Sequence, residues 1–314
     1  MYEAFYGLAA RPFDLTSNPR SLFLTDKYRE ALSHVQYGIE SRAGITVLIG
    51  EAGVGKTTMV RAALEHFGAD SAIVVLTNPA LTRSEFLEFL GQGFRLPAGA
   101  AESKTELLTQ LHRVLLELYR QNKPAALVVD EAQSVPARLL REIRLLANLE
   151  TGSHKLLPIV LAGQPELAEV LNQPRFEPLK QRVAFRCTLE RLTLAETASY
   201  MVQRIRSVGG DCKQLFTRGA VLTIHDRAGG VPRIINVICN NALIAGFASQ
   251  ERPVGQKLAL EVCNHLDLSG ASRADGAAGG MAFNEPTAAG LDSAAAGEVP
   301  SELLERVLGR RGQR

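Results

Sequence analysis

Residues 45–57 constrain the fold more than any other stretch of this chain, because they read as a strand, a glycine-rich loop and the start of a helix in immediate succession. Ile45-Thr46-Val47-Leu48-Ile49 has the β-favouring composition of a buried strand. Gly50-Glu51-Ala52-Gly53-Val54-Gly55-Lys56-Thr57 follows, a complete match to the phosphate-binding pattern G-x-x-x-x-G-K-[ST], with Thr58 continuing into the helix. Each fixed position has a chemical reason. The glycines permit a tight turn whose backbone N–H groups face inward, and the helix beginning near Lys56 aims its positive end at the same point. Lys56 supplies a point charge for β- and γ-phosphates, and the Thr57 hydroxyl is of a length to hold Mg²⁺. The expected ligand is ATP with Mg²⁺.

A second element lies about 75 residues downstream, a distance that accommodates intervening strand and helix units. Ala125-Ala126-Leu127-Val128-Val129 runs into Asp130-Glu131, an apolar strand ending in two carboxylates. Buried carboxylates are costly without a cation or donors opposite them. Asp130 is therefore expected in the metal shell, and Glu131 is placed to polarise an attacking water. Alone the pattern is weak, since strands commonly end in acidic turns, but paired with residues 50–57 it becomes specific.

The composition is that of an ordinary globular protein, 46% hydrophobic and 22% charged over 314 residues, which suffices for a large core and an appended domain. No run approaches the length of a membrane span, and Met1-Tyr2-Glu3-Ala4 lacks the basic and apolar regions of a signal peptide. A cytoplasmic protein, or one peripheral at the inner membrane, is the expectation. Cys187, Cys212, Cys239 and Cys263 are widely spaced and read as reduced, packed thiols, so no metal site beyond the nucleotide's Mg²⁺ is assigned.

A net charge of +2 argues against a dedicated nucleic-acid arm, although a local patch remains open. Arg138, Arg141 and Arg144 recur every three residues on a helix whose apolar face is Leu139, Leu140, Ile143, Leu145 and Leu146. They either touch phosphates or a neighbouring subunit, or form a solvated face paired with Glu142 and Glu150.

Strand patterns at 45–49, 72–77, 125–130, 157–163 and 183–190 alternate with helical patterns at 26–41, 56–67, 82–95, 104–121 and 134–149. This predicts an α/β fold with a parallel sheet flanked by helices. Beyond residue 191 only helical periodicity remains, at 193–208, 217–227, 232–249 and 256–266, with breaks at Gly209-Gly210 and Gly229-Gly230-Val231-Pro232. The expected organisation is an N-terminal segment and helix over 1–44, a nucleotide-binding α/β domain over 45–190, a small all-helical lid over 191–266 and a low-complexity, disordered tail over 267–314. Near the end of that tail, Leu303, Leu304, Val307 and Leu308 form a stripe at helical spacing behind Ser301, compatible with a short docking helix or with fraying.

Six strings stand in order along the chain: Phe5-Tyr6-Gly7-Leu8-Ala9-Ala10-Arg11-Pro12-Phe13, Tyr28-Arg29-Glu30-Ala31-Leu32, residues 50–58, Asp130-Glu131-Ala132-Gln133, Leu161-Ala162-Gly163-Gln164-Pro165 and Gly230-Val231-Pro232-Arg233-Ile234. Together they resemble the general secretion pathway protein A family of bacterial AAA+ ATPases, whose relatives serve pilus biogenesis and exosortase gene clusters. The resemblance spans about residues 1–266 and implies a P-loop AAA+ fold with a helical lid. It implies that Gln164 is the sensor 1 amide reaching toward the γ-phosphate or attacking water, and that Arg233 is the sensor 2 arginine of the lid. A homo-oligomer with an arginine finger is also implied; Arg182 is the candidate, with Arg175 and Arg186 as alternatives. The expected function is ATP hydrolysis by a motor or switch in a secretion-, pilus- or exopolysaccharide-type assembly system, with an unidentified protein partner such as a membrane-associated assembly complex. Two alternatives stand beside it: a DNA-associated ATPase of the transposition-regulator or replication-initiator type, and an ATP-dependent scaffold switch with little turnover.

Overall fold

The computed structural model describes residues 1–16 and 22–268. The chain divides into two compact units, one built from residues 1–16 and the chain from 191 onward, the other from the residues between them. Helix α1 (Tyr2–Tyr6) opens the first unit, hereafter the helical unit. The sheet unit then runs through α2 (Asp26–Glu40), β1 (Ile45–Gly50), α3 (Lys56–Glu65), β2 (Ala72–Leu76), α4 (Arg83–Gly93) and α5 (Lys104–Arg120). It continues with β3 (Ala125–Val129), α6 (Ala137–Leu146), β4 (Ile159–Gly163), α7 (Pro165–Leu171), α8 (Glu177–Lys180) and β5 (Val183–Leu189). The helical unit resumes with α9 (Leu194–Arg206), α10 (Cys212–Leu215), α11 (Arg218–Ala228), α12 (Pro232–Ser249) and α13 (Gln256–His265).

All strand pairs are parallel, in the order β2-β3-β4-β1-β5. The inner strands β1, β3 and β4 are buried along their whole length, which is why they read as unbroken apolar runs. Period-two alternation divides their side chains between two cores. Val47, Ile49, Leu127, Val129, Ile159 and Leu161 pack with α4–α7 on one face. Leu48, Ala126, Val128, Val160 and Ala162 pack with α2 and α3 on the other. The crossover direction reverses between β4 and β1, so the crevice beyond their carboxyl ends is the topological switch point where ligands of open α/β sheets bind.

The sequence pattern over 1–44 describes one segment, but the structure divides it. Residues 1–16 pack within the helical unit, where Tyr2, Tyr6 and Phe13 are buried, and α2 packs against the sheet. The anchors that hold residues 1–16 lie far away in sequence. Tyr2 Oη donates to Asn240 Oδ1 at 2.8 Å, and Arg204 reaches the carbonyls of Pro12 and Asp14 at 2.7 and 3.0 Å. Local periodicity carries no trace of such pairings. Two element bounds also shift: β4 begins after Pro158, and α6 begins after Pro136 rather than at residue 134. The Ala/Gly-rich stretch from 269 and the helical pattern at 301–308 lie outside the described residues.

Candidate nucleotide-binding site

The loop between β1 and α3 is built as its sequence demands. Gly53 and Gly55 have φ of 83° and 102°, values that side chains disfavour. At Gly50 an added Cβ would lie 2.8 Å from Val54 Cγ2 and 3.0 Å from the Leu189 carbonyl oxygen, so the loop base has no room for one. Gly55 caps α3 and no side chain occupies the first-turn N–H groups, whereas α2, α4, α9 and α11 each carry a threonine cap. First-turn N–H groups without a side-chain cap are the donors that an anion at a helix N-terminus takes up.

Lys56 is 5% exposed, and its Nζ donates to the carbonyls of Gly50 and Glu51 at 2.8 and 2.9 Å. Burial pushes its pKa below the ordinary lysine value, opposed by the charges of Glu131, Asp130, Glu166 and Glu51. The direct partners of this buried ammonium are neutral carbonyls, so an anion brought against it would offset its desolvation, and phosphate is the anion this loop geometry fits.

Asp130, also 5% exposed, accepts from Thr57 Oγ1 at 2.7 Å through Oδ2 and from the Glu131 N–H at 2.9 Å through Oδ1. Glu131 has φ 51° and ψ 39°, a left-handed backbone that non-glycine residues rarely adopt and that often marks a functional turn. Its Oε2 accepts from Gln133 Nε2 at 2.6 Å and from Gln164 Nε2 at 3.4 Å. Gln133 Oε1 in turn accepts the Gln164 backbone N–H at 3.0 Å. Three adjacent strand ends thus bring Thr57, Asp130, Glu131 and Gln164 into one hydrogen-bonded group, with Lys56 held beside it on the loop carbonyls.

Gln133 was not singled out for a role by sequence reasoning, although it is the brace between the acid and the amide. Its only signal is its place two residues after Glu131. Tyr28 is the second such residue: its Oη donates to the Val54 carbonyl within the loop at 2.6 Å.

The arginines fall elsewhere. Arg233 is exposed on the first turn of α12 in the helical unit, with no hydrogen bond or ion pair among the described residues. The Arg182 guanidinium is held within its own chain, Nε on Asn148 Oδ1 at 2.7 Å and Nη1 on the Pro178 carbonyl at 2.5 Å. Arg175 is exposed, bonded to Gln173 Oε1 at 2.8 Å and stacked over Phe176, and Arg186 is exposed on edge strand β5. On α6, Arg138 and Arg141 are exposed and Arg144 is half-buried with Nε unsatisfied. The pairing of these three with Glu142 and Glu150 does not form. Glu142 is taken by Arg83 and Lys104 at 2.9 and 2.6 Å, and Glu150 by Lys155.

A family model of the AAA domain matches residues 39–171. Over 248 residues the chain is 38% identical to general secretion pathway protein A of Aeromonas hydrophila, covering 79% of this chain and 45% of that protein. Residues 39–171 thus match the AAA domain, and the chain is similar to general secretion pathway protein A. It spans less than half the length of that relative. Among solved structures, the ORC2 protein of Aeropyrum pernix with ADPNP and ADP matches with TM-score 0.61 at 17% identity, over 84% of this chain and 72% of that one. The RuvB Holliday junction branch migration motor of Thermotoga maritima matches with TM-score 0.53 at 16% identity, over 78% and 70%. These two likenesses show the fold and nothing finer. Among the described residues, no helix is long and apolar enough to cross a membrane.

Proposed function

We propose that this AAA+ chain binds ATP with Mg²⁺ and hydrolyses it to ADP and phosphate, as one subunit of a homo-oligomeric motor or switch. The observation that carries the reading is the 2.7 Å bond between Thr57 Oγ1 and Asp130 Oδ2, which joins the loop hydroxyl to the strand-end carboxylate beside a buried lysine. Gly50, Glu51, Ala52, Gly53, Val54, Gly55, Lys56, Thr57 and Thr58 would cradle the phosphates. Thr57 and Asp130 would hold Mg²⁺, which when bound neutralises charge on the β- and γ-phosphates.

The remaining work falls to two amides and a carboxylate. Gln133 and Gln164 engage Glu131 Oε2 and fix the plane of the carboxylate, leaving Oε1 to accept the proton of an attacking water. Gln164, a neutral donor, orients that water without adding charge. Arg233 is assigned to the nucleotide from the helical unit. Arg182 is assigned as the trans-acting finger, a role that requires it to exchange Asn148 and the Pro178 carbonyl for phosphate oxygens at a subunit contact. Arg175 and Arg186 are the alternatives: Arg175 would give up Gln173 and Phe176, and Arg186 is exposed on β5.

The identity with general secretion pathway protein A favours work in a secretion-, pilus- or exopolysaccharide-type assembly, at the cytoplasmic face of the inner membrane with a membrane-associated protein partner. The exposed Arg138 and Arg141, with Glu142 paired elsewhere, favour a DNA-associated reading as the second choice. Duplex DNA binding that weakens steeply with added salt would move the assignment there.

The test is steady-state ATP turnover with nucleotide affinity measured alongside, over a range of protein concentrations. Glu131→Gln should retain ATP and lose turnover by about 10²-fold or more, because water activation is removed and binding is not. Lys56→Ala should lose affinity itself. Specific activity of the wild type should climb with concentration if the finger acts in trans. Equal turnover in wild type and Glu131→Gln would remove the hydrolytic assignment.

A further inference from the structure

We infer that Tyr28 is a positioning residue of the phosphate loop, and that its hydroxyl links phosphate occupancy to Glu190, the last residue of the sheet unit. The inference rests on the proposed ATP site and adds to it a residue outside the loop. Tyr28 is 4% exposed and lies on the first turn of α2, whose start is fixed by Thr25. Its Oη donates to the Val54 carbonyl at 2.6 Å and lies 3.4 Å from the Glu190 carbonyl. One hydroxyl proton serves two acceptors, with Val54 holding the shorter bond.

The Val54 contact matters because of the planar trans peptide that follows it. The C=O of Val54 and the N–H of Gly55 point in opposite directions from the same rigid unit. Drawing the carbonyl outward toward Tyr28 turns the Gly55 N–H the other way, toward the concavity where an anion sits. Gly55, at φ 102°, has no side chain to fix that peptide's orientation, so an external partner must supply the hold. Tyr28 supplies it.

The Glu190 contact gives the hold a second end. The neighbouring Lys27 pairs with the Glu190 carboxylate, so the same turn of α2 grips residue 190 through both its backbone and its side chain. Residue 191 begins the helical unit. When phosphate draws on the Gly55 N–H, the peptide turns and the hydroxyl redistributes its proton between Val54 and Glu190. The exit from the sheet unit then differs between the empty and the loaded loop.

Tyr28→Phe is the test, because it keeps the buried ring and deletes only the hydroxyl. Full-length wild type, Tyr28→Phe and Lys56→Ala are compared by equilibrium dialysis with labelled ATP and by amide hydrogen exchange with and without ATP. Tyr28→Phe should bind ATP about fivefold more weakly, the worth of one net hydrogen bond. Its loop, residues 50–57, should still gain protection on ATP addition, while the wild-type change at residues 189–193 disappears. A purely structural role would leave that second change intact. ATP affinity and exchange at 189–193 matching wild type would overturn the inference alone. A wild-type protein that binds no ATP, or binds it no better than Lys56→Ala, would overturn the functional reading and the inference with it.

Discussion

The sheet unit and the helical unit reach a buried core by different routes. In the sheet unit every strand and its following helix are sequence neighbours, and the core is a consequence of periodicity repeated through the unit. The helical unit is closed by residues 1–16, which meet their partners some 190 positions later. Its closure depends on a few specific contacts: Tyr2 on Asn240, Arg252 Nη1 on the Phe5 carbonyl at 3.1 Å, Phe13 edge-on to Phe216, and Arg204 on two carbonyls. Distributed packing tolerates single losses, whereas a unit held by a few anchors does not. The candidate site and the sensitive joints are accordingly separated, with the former at the strand ends of the sheet unit and the latter in the helical unit.

The largest expected effect on that contrast comes from Gly230, at the joint between α11 and α12. Its φ is 73°, and an added Cβ would stand 2.1 Å from the Leu192 carbonyl oxygen, a backbone atom that cannot swing away. The Gly230 carbonyl also accepts the Leu192 N–H at 2.8 Å. Gly230→Ala should therefore cost about 3 kcal/mol or more, combining left-handed strain with a backbone clash. Amide exchange should accelerate across α9, α11 and α12 and remain slow in β1, β3 and β4. Acceleration of equal size in both units would show that they unfold as one body and would break the comparison.

Arg204 gives a middle-sized effect. It is 8% exposed, and Arg204→Met keeps much of the stem while leaving the Pro12 and Asp14 carbonyls without their donor. The loss should be about 2 kcal/mol, the usual cost of stranding buried acceptors of a charged donor. Residues 2–13 should become the first site of proteolytic cutting. Unchanged resistance there would mean that the aromatic contacts of Phe5, Tyr6 and Phe13 suffice.

These two sites also mark where the sequence stops being informative. The alternation that separates the two cores, the loop at 50–57 and the acid pair at 130–131 are all local patterns, so the sheet and most of its site are readable from residue spacing. Roles for Gln164 and Arg233 are suggested only through resemblance, because a single amide or arginine after a strand or a proline has many uses. The brace at Gln133, the tyrosine hydroxyl on Val54 and the placement of residues 1–16 depend on contacts between distant segments. No periodicity encodes those. The Arg182 guanidinium shows the same limit, since its bonds to Asn148 and Pro178 are set by how α6 and α8 pack.

The smallest expected effect is a pH dependence confined to the helical unit. His225, on α11, faces Thr197 of α9, with Nδ1 and Oγ1 2.9 Å apart. Burial lowers the imidazole pKa below its ordinary value, partly opposed by Asp226. The folded unit therefore resists taking up a proton that the unfolded chain accepts below about pH 6.5. Stability contributed by neutral His225 is complete above that value and declines as pH falls toward the folded pKa, below which the slope ends. Glu3, held down to about 2 by the N-terminal ammonium and by Arg11, titrates far below this window and does not confuse the reading. Exchange in α9 and α11, corrected for its intrinsic pH dependence, should rise modestly between pH 7.5 and 5.5. In His225→Gln, whose amide can still meet Thr197 and does not titrate, the slope should flatten. A slope that survives the substitution would assign the acid sensitivity to another group and leave the α9–α11 contact indifferent to protonation.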